Sequence, residues 1–238
     1  MDRQFNWKGF SWLIGPKWGE THPNNSMYWW GTNAVEINDK DELELDIRYT
    51  TKLFDSVLKP YSLGFVRSEL EYGYGTYEWE MTMPQGNYLW PALWLAADAE
   101  WPPEIDCMEG YSNEKGSYNK RLLFLNIKPN VHWNDINNNH KEQLKNNIPF
   151  FALSPKKKNI YKVILTPSSV TIWYNNCCVA TYNDKEMLQH FNKEGIKWHI
   201  NMNIGLQEKF NLSDYLDYRK KDKKMIIHNF KFIPLSKK

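Results

Sequence analysis

Cysteine is scarce here and poorly placed for cross-linking. The 238-residue chain holds three, Cys107, Cys177 and Cys178. An odd count with one adjacent pair gives no disulfide framework, because neighbours bridge only through strained backbone. No Cys-x-x-Cys or Cys/His zinc spacing occurs, so no metal ligand set is read from the chain. Cys107 is expected to serve as small apolar filler. A bias of charge is missing too: 30 Lys and Arg against 28 Asp and Glu leave a formal net charge of +2. That balance argues against a nucleic-acid partner, and Lys156–Lys158 and the basic run Arg219–Lys224 read as solvated loops. No segment approaches 18 consecutive apolar residues, so no membrane insertion is expected. The first seven residues lack the apolar core of a secretion signal. A mature fragment, an intracellular or phage-borne product and another export route all stay open.

What is present is aromatic. Phe, Trp and Tyr make up 16% of the chain, with 12 Trp and 14 Tyr. Such an excess suits strands, and it suggests a stacking surface in addition to a core. Apolar and polar residues alternate at period two over 43–48 and 76–83. Further strands are expected at 34–38, 62–68, 88–97, 103–111, 121–128, 160–166, 169–174, 177–182, 196–205 and 225–233. Thr166–Ser169 and Asn175–Asn176 read as tight turns joining three strands into a meander, since Asn tolerates positive φ. Only Asp184–Phe191 reads helical, with Asn183 or Asp184 as its cap. The Asn-rich stretch 134–147 reads as a loop. A dozen short strands with little helix imply one domain over 1–238, an all-β jelly-roll sandwich of two antiparallel sheets. One sheet of such a sandwich can curve into a concave groove.

The chemistry concentrates in Glu104-Ile105-Asp106-Cys107-Met108-Glu109. On a regular strand Glu104 and Asp106 share a face and Glu109 does not. One extra residue, a β-bulge, would turn Glu109 onto the face of the other two. Crowded carboxyls raise one another's pKa, so one can stay protonated while another is ionised. A proton donor beside an anionic nucleophile is the equipment of a retaining glycosidase. The flanks, Trp90-Pro91-Ala92-Leu93-Trp94 and Trp101-Pro102-Pro103, are too apolar for a solvated acidic strand. Aromatic rings beside carboxyls suit a sugar, whose flat face stacks while its hydroxyls hydrogen-bond.

These motifs resemble glycoside hydrolase family 16, the laminarinase, lichenase and agarase group. Gly64–Ser68 with Tyr74–Glu78 is similar to the strand pair before the catalytic strand. Trp90–Trp94 matches Trp-Pro-Ala-x-Trp, and Glu104–Glu109 matches the bulged Glu-x-Asp-x-x-Glu signature. Tyr161–Tyr182, Trp198–Gly205 and Met225–Ile233 are similar to the later strands. The resemblance implies a concanavalin A-like fold and a retaining, endo-acting hydrolase of polysaccharide β-1,3 or β-1,4 linkages. Glu104 would be the nucleophile, Glu109 the acid/base and Asp106 their assistant. Laminarin-type β-glucan is the first substrate expected and algal galactan the second. Pro103 replaces the usual Gly, Asn175-Asn176 the usual Asp-Gly, and the late strand lacks its double Gly; these departures weaken the transfer of substrate. The substrate class implies an extracellular or secreted protein. No cofactor is required; some members carry a structural calcium ion, but no cation loop is readable. A monomer is expected.

Further groove candidates follow from position. Trp90 and Trp94 share parity, and Trp94 is either a sugar platform or core beneath the acids. Trp101 is a platform candidate. Of Trp29 and Trp30 only one can face the groove, and Trp30 with Asn33 is expected at its lip. Arg67 binds either a substrate group or a structural partner. His132 would contact substrate or Glu109, or be structural, and Gln207 is the weakest candidate. Two rivals share the fold: a non-catalytic lectin-like module, and a component of a phage-borne polysaccharide depolymerase.

Overall fold

The computed structural model of the chain describes residues 2–22, 26–114, 127–145, 153, 157–221 and 224–236. The strands are β1 (Gln4–Trp7), β2 (Phe10–Ile14), β3 (Tyr28–Trp30), β4 (Val35–Ile37), β5 (Leu43–Leu45), β6 (Ile47–Phe54), β7 (Val57–Leu63), β8 (Phe65–Ser68) and β9 (Gly75–Thr82). They continue with β10 (Leu89–Ala96), β11 (Glu104–Gly110), β12 (Ile127–Asn134), β13 (His140–Glu142), β14 (Lys158–Thr166), β15 (Ser169–Tyr174), β16 (Cys177–Tyr182), β17 (His199–Leu206) and β18 (Met225–Pro234). Among the described residues, two α-helices, α1 (Lys185–Phe191) and α2 (Leu212–Lys221), interrupt the run. The expected strand at 121–128 lies outside the described residues except for its last two.

An eight-stranded sheet in the order β1-β2-β8-β17-β10-β11-β12-β13 packs on a seven-stranded sheet, β16-β15-β14-β9-β18-β5-β4. A small third sheet, β3-β7-β6, lies beside them. The alternation in sequence becomes the core: Tyr77, Trp79 and Met81 of β9 are fully buried, as are Leu43 and Leu45. Six of the 12 tryptophans are buried, Trp7, Trp12, Trp30, Trp79, Trp133 and Trp198, so the aromatic excess divides between core and surface. The meander is β14-β15-β16, and Asn175 takes the positive φ of its turn (51°).

Three expectations need correction. The strand expected at 62–68 is broken at Gly64, where a Cβ would lie 2.6 Å from the Ala34 carbonyl oxygen and 2.8 Å from Leu45 Cβ. Only glycine lets the chain pass from β7 to β8 so close to β5. The Asn-rich loop contains β13, which pairs with β12. The described part of the basic run is no solvated loop: Arg219 belongs to α2, and Lys224 pairs with Glu44 at 2.6 Å.

Asp46 explains α2. Its side chain is 3% exposed and accepts from Tyr218 Oη (2.7 Å), Arg219 (2.9 Å) and the Ile47 amide (2.8 Å), with Arg48 at 2.9 Å. The carboxylate thus ties α2 to the junction of β5 and β6. Removing one partner of a buried ion pair leaves the other charges uncompensated, so Asp46→Ala should lower stability by about 3–5 kcal/mol in urea unfolding. A loss below about 1 kcal/mol, the size of an exposed pair, would contradict this role.

Candidate active site

The site begins with an interruption in a ladder. Along β11 and β12, Asp106 is opposite Asn130 and Glu109 is opposite Lys128, three residues against two. Along β10, Leu93 faces Met108 and Trp94 faces Asp106, which makes Cys107 the extra residue. The bulge that would turn Glu109 onto the face of the other two acids is present. Ile105, Cys107 and Met108 are fully buried among the core residues, while Glu104, Asp106 and Glu109 all line one groove of about 750 Å³. The opposite sheet closes over the bulge, where Tyr174 Oη donates to the Cys107 carbonyl at 2.8 Å. Pro129, which has no N–H to offer, stands opposite the irregularity.

Each acid has its own partners. Glu109 Oε1 accepts from Trp90 Nε1 (3.1 Å) and Tyr111 Oη (2.9 Å), and those two rings stack at 5.6 Å. Glu104 Oε2 accepts from Trp101 Nε1 at 3.0 Å. Asp106 is 4% exposed, and its Oδ2 lacks a hydrogen bond of good geometry, although His132 Nε2 lies 3.2 Å away. All three carboxyls are pushed above the usual carboxylate range. Burial is the main cause for each, followed by the Asp106 charge for Glu104 and the Glu109 charge for Asp106. For Glu109, the bonds from Tyr111 and Trp90 act against burial. A cluster of this kind holds protons at pH values where isolated carboxyls have lost them.

The other candidates sort clearly. Trp90, Trp94 and Trp101 line the groove, as does the buried Trp30 on its floor. Trp94 is half-buried and donates to Asn203 Oδ1 at 2.8 Å, so it is both wall and packing. Arg67 lines the groove while paired with both oxygens of Asp98 at 2.9 Å. His132 does not meet Glu109; it faces Asp106, and Glu104 at 3.8 Å. Glu104, Asp106 and His132 also have ligand-capable atoms within 4.8 Å of one another, the spacing of a cation site. Asn33 stands outside the groove lining and bonds Thr50 (3.1 Å) and Ser62 (2.5 Å), joining the turn before β4 to β6 and β7. Gln207 is spent on backbone, donating to the Leu89 and Ser112 carbonyls, and borders a smaller neighbouring depression. Sequence reasoning missed Tyr111, which shares parity with Glu109 and could have been found. It also missed Trp18, which sits 6.1 Å from Trp94 with nothing local to announce it.

Three crowded acids in an aromatic groove on one sheet of a jelly roll define a β-sandwich glycoside hydrolase. The chain belongs to the glycosyl hydrolases family 16, whose family model matches residues 22–211. The laminarinase catalytic domain from Thermotoga maritima superposes with a TM-score of 0.67 at 14% identity, over 95% of this chain and 92% of that one. A family 16 enzyme from Bacteroides ovatus, of a mixed-linkage glucan locus and in complex with G4G4G3G product, gives 0.63 at 20% identity over 97% of each chain. Porphyranase B from Zobellia galactanivorans gives 0.71 at 12% identity over 96% of this chain and 87% of that one. These likenesses are of fold. An endo-1,3-1,4-beta-glycanase, ExsH of Rhizobium meliloti, is 49% identical over 37 residues, 15% of this chain and 8% of that protein's length.

Because Tyr111 and Trp90 stabilise the ionised form of Glu109, losing one donor makes ionisation harder. Tyr111→Phe should therefore raise the Glu109 pKa, read by carboxyl carbon NMR titration. An unchanged or lowered value would mean that the hydroxyl does not hold the carboxylate.

Proposed function

We propose that the chain is a retaining, endo-acting β-glycosidase that cleaves internal β-1,3 or β-1,4 linkages of a polysaccharide. Laminarin-type β-glucan is the first substrate class and algal galactan the second. The observation that carries this reading is the turn of Glu109 onto the face of Glu104 and Asp106. Family membership supports it, as do two structural neighbours, a laminarinase and a family 16 enzyme of a mixed-linkage glucan locus. Glu104 attacks the anomeric carbon, and Trp101 occupies Glu104 Oε2, leaving Oε1 to attack. Glu109 protonates the departing glycosidic oxygen. Both of its donors meet Oε1, which leaves Oε2 to carry the proton. Once deprotonated, Glu109 activates the water that releases the sugar from Glu104. Asp106, between them, takes up proton density as the charges change. Carboxyls supply both the attack and the proton transfers. Trp18, Trp94 and Trp101 offer faces on which successive sugar rings stack.

A panel of β-glucans and algal galactans, scored by reducing ends and product size, tests the reading. Internal cleavage of at least one is expected; binding without new reducing ends would favour a lectin. On the cleaved substrate, Glu104→Ala should abolish turnover, and added azide should give a glycosyl azide of inverted configuration. A retained azide would exchange the roles of the two glutamates. Glu109→Ala should lose roughly 10²–10⁴-fold in turnover, the usual worth of a positioned acid.

A further inference from the structure

The loop between β10 and β11 carries Trp101, and it is held by charge at two points. Asp98 is gripped by Arg67, by His199 Nε2 (3.0 Å) and by Lys17. The second point lies on α1. His190 is 2% exposed, and both its ring nitrogens are engaged. The Asn134 amide donates to Nδ1 at 2.8 Å, so the ring proton sits on Nε2 and points at Glu100 Oε1, also 2.8 Å away. Lys193 adds 3.1 Å to the same oxygen. One buried imidazole thereby braces two elements that touch the acids. Through Glu100 it holds the loop whose Trp101 donates to Glu104. Through Asn134 it holds the end of β12, whose His132 faces Asp106.

We infer that Glu100 and His190 are positioning residues that hold Trp101 against Glu104. The inference rests on Glu104 being the attacking group. Trp101 is 60% exposed, and its ring neighbours among the described residues are His140 at 5.3 Å and His132 at 6.3 Å. Contacts so exposed do not fix an indole to hydrogen-bonding precision. The backbone on either side has to be fixed instead, and Glu100 is the residue next to it. Lost alignment at a reacting group appears mainly in the chemical step.

Glu100 is exposed, so it can be replaced without opening the core. Glu100→Ala should lower kcat about tenfold and change KM by less than about threefold in a protein that still unfolds cooperatively. Glu100→Gln keeps an acceptor for His190 and should recover most of the loss. In a Trp101→Phe background, Glu100→Ala should cost nothing further, because its route to Glu104 is already gone. Equal losses in both backgrounds, or a change confined to KM, would overturn the inference. Hydrogen exchange gives a readout free of turnover: backbone amides of 98–101 should exchange faster in Glu100→Ala, and unchanged protection there would also overturn it. A wild type that cleaves nothing would defeat the hydrolase reading, while the exchange rates still judge the clamp.

Discussion

One surplus residue organises the site. On a regular strand of this sequence Glu109 would point away from Glu104 and Asp106; the bulge at Cys107 offsets the extra residue, so that the three acids share one face and Ile105, Cys107 and Met108 share the other. An irregularity inside a sheet leaves backbone groups without ladder partners, and buried backbone groups need partners. Tyr174 supplies one from the opposing sheet, and the ring of Pro129 removes a donor that would have gone unused. The sandwich is therefore built around the bulge from both sides.

The cost of the arrangement is electrostatic. Burying carboxyls near one another disfavours their charge. The fold softens this with donors whose rings also form the groove: Trp90 and Tyr111 at Glu109, and Trp101 at Glu104. Packing and acid chemistry are thus met by the same side chains. The orphaned Oδ2 of Asp106, beside His132, is the point where compensation is least complete.

Features governed by local periodicity were legible in the sequence. The meander, a helix cap at Asn183 or Asp184 and the groove tryptophans at one parity follow from spacing, while the bulge was implied by the resemblance to the Glu-x-Asp-x-x-Glu signature; the structure contains each, with Asp184 as the cap. Features resting on distant partners were not. Helix α2 hides in a lysine-rich run because its anchor, Asp46, lies about 170 positions earlier. Strand β13 is exposed throughout, so no apolar alternation marks it. Asn33 and Gln207 were polar residues at suggestive positions whose side chains hydrogen-bond the scaffold instead.

Excising Cys107 tests most directly whether the bulge serves the site only by restoring the shared phase of the acids. The residue count between Asp106 and Glu109 would then match that of β12, and a regular strand would keep the three acids on one face in their present register. Turnover of a polysaccharide by this deletion variant, with folding checked by circular dichroism, is the measurement. The account predicts a less stable protein that still cleaves. A folded but inert variant would show that shared parity of the acids is not what the bulge provides.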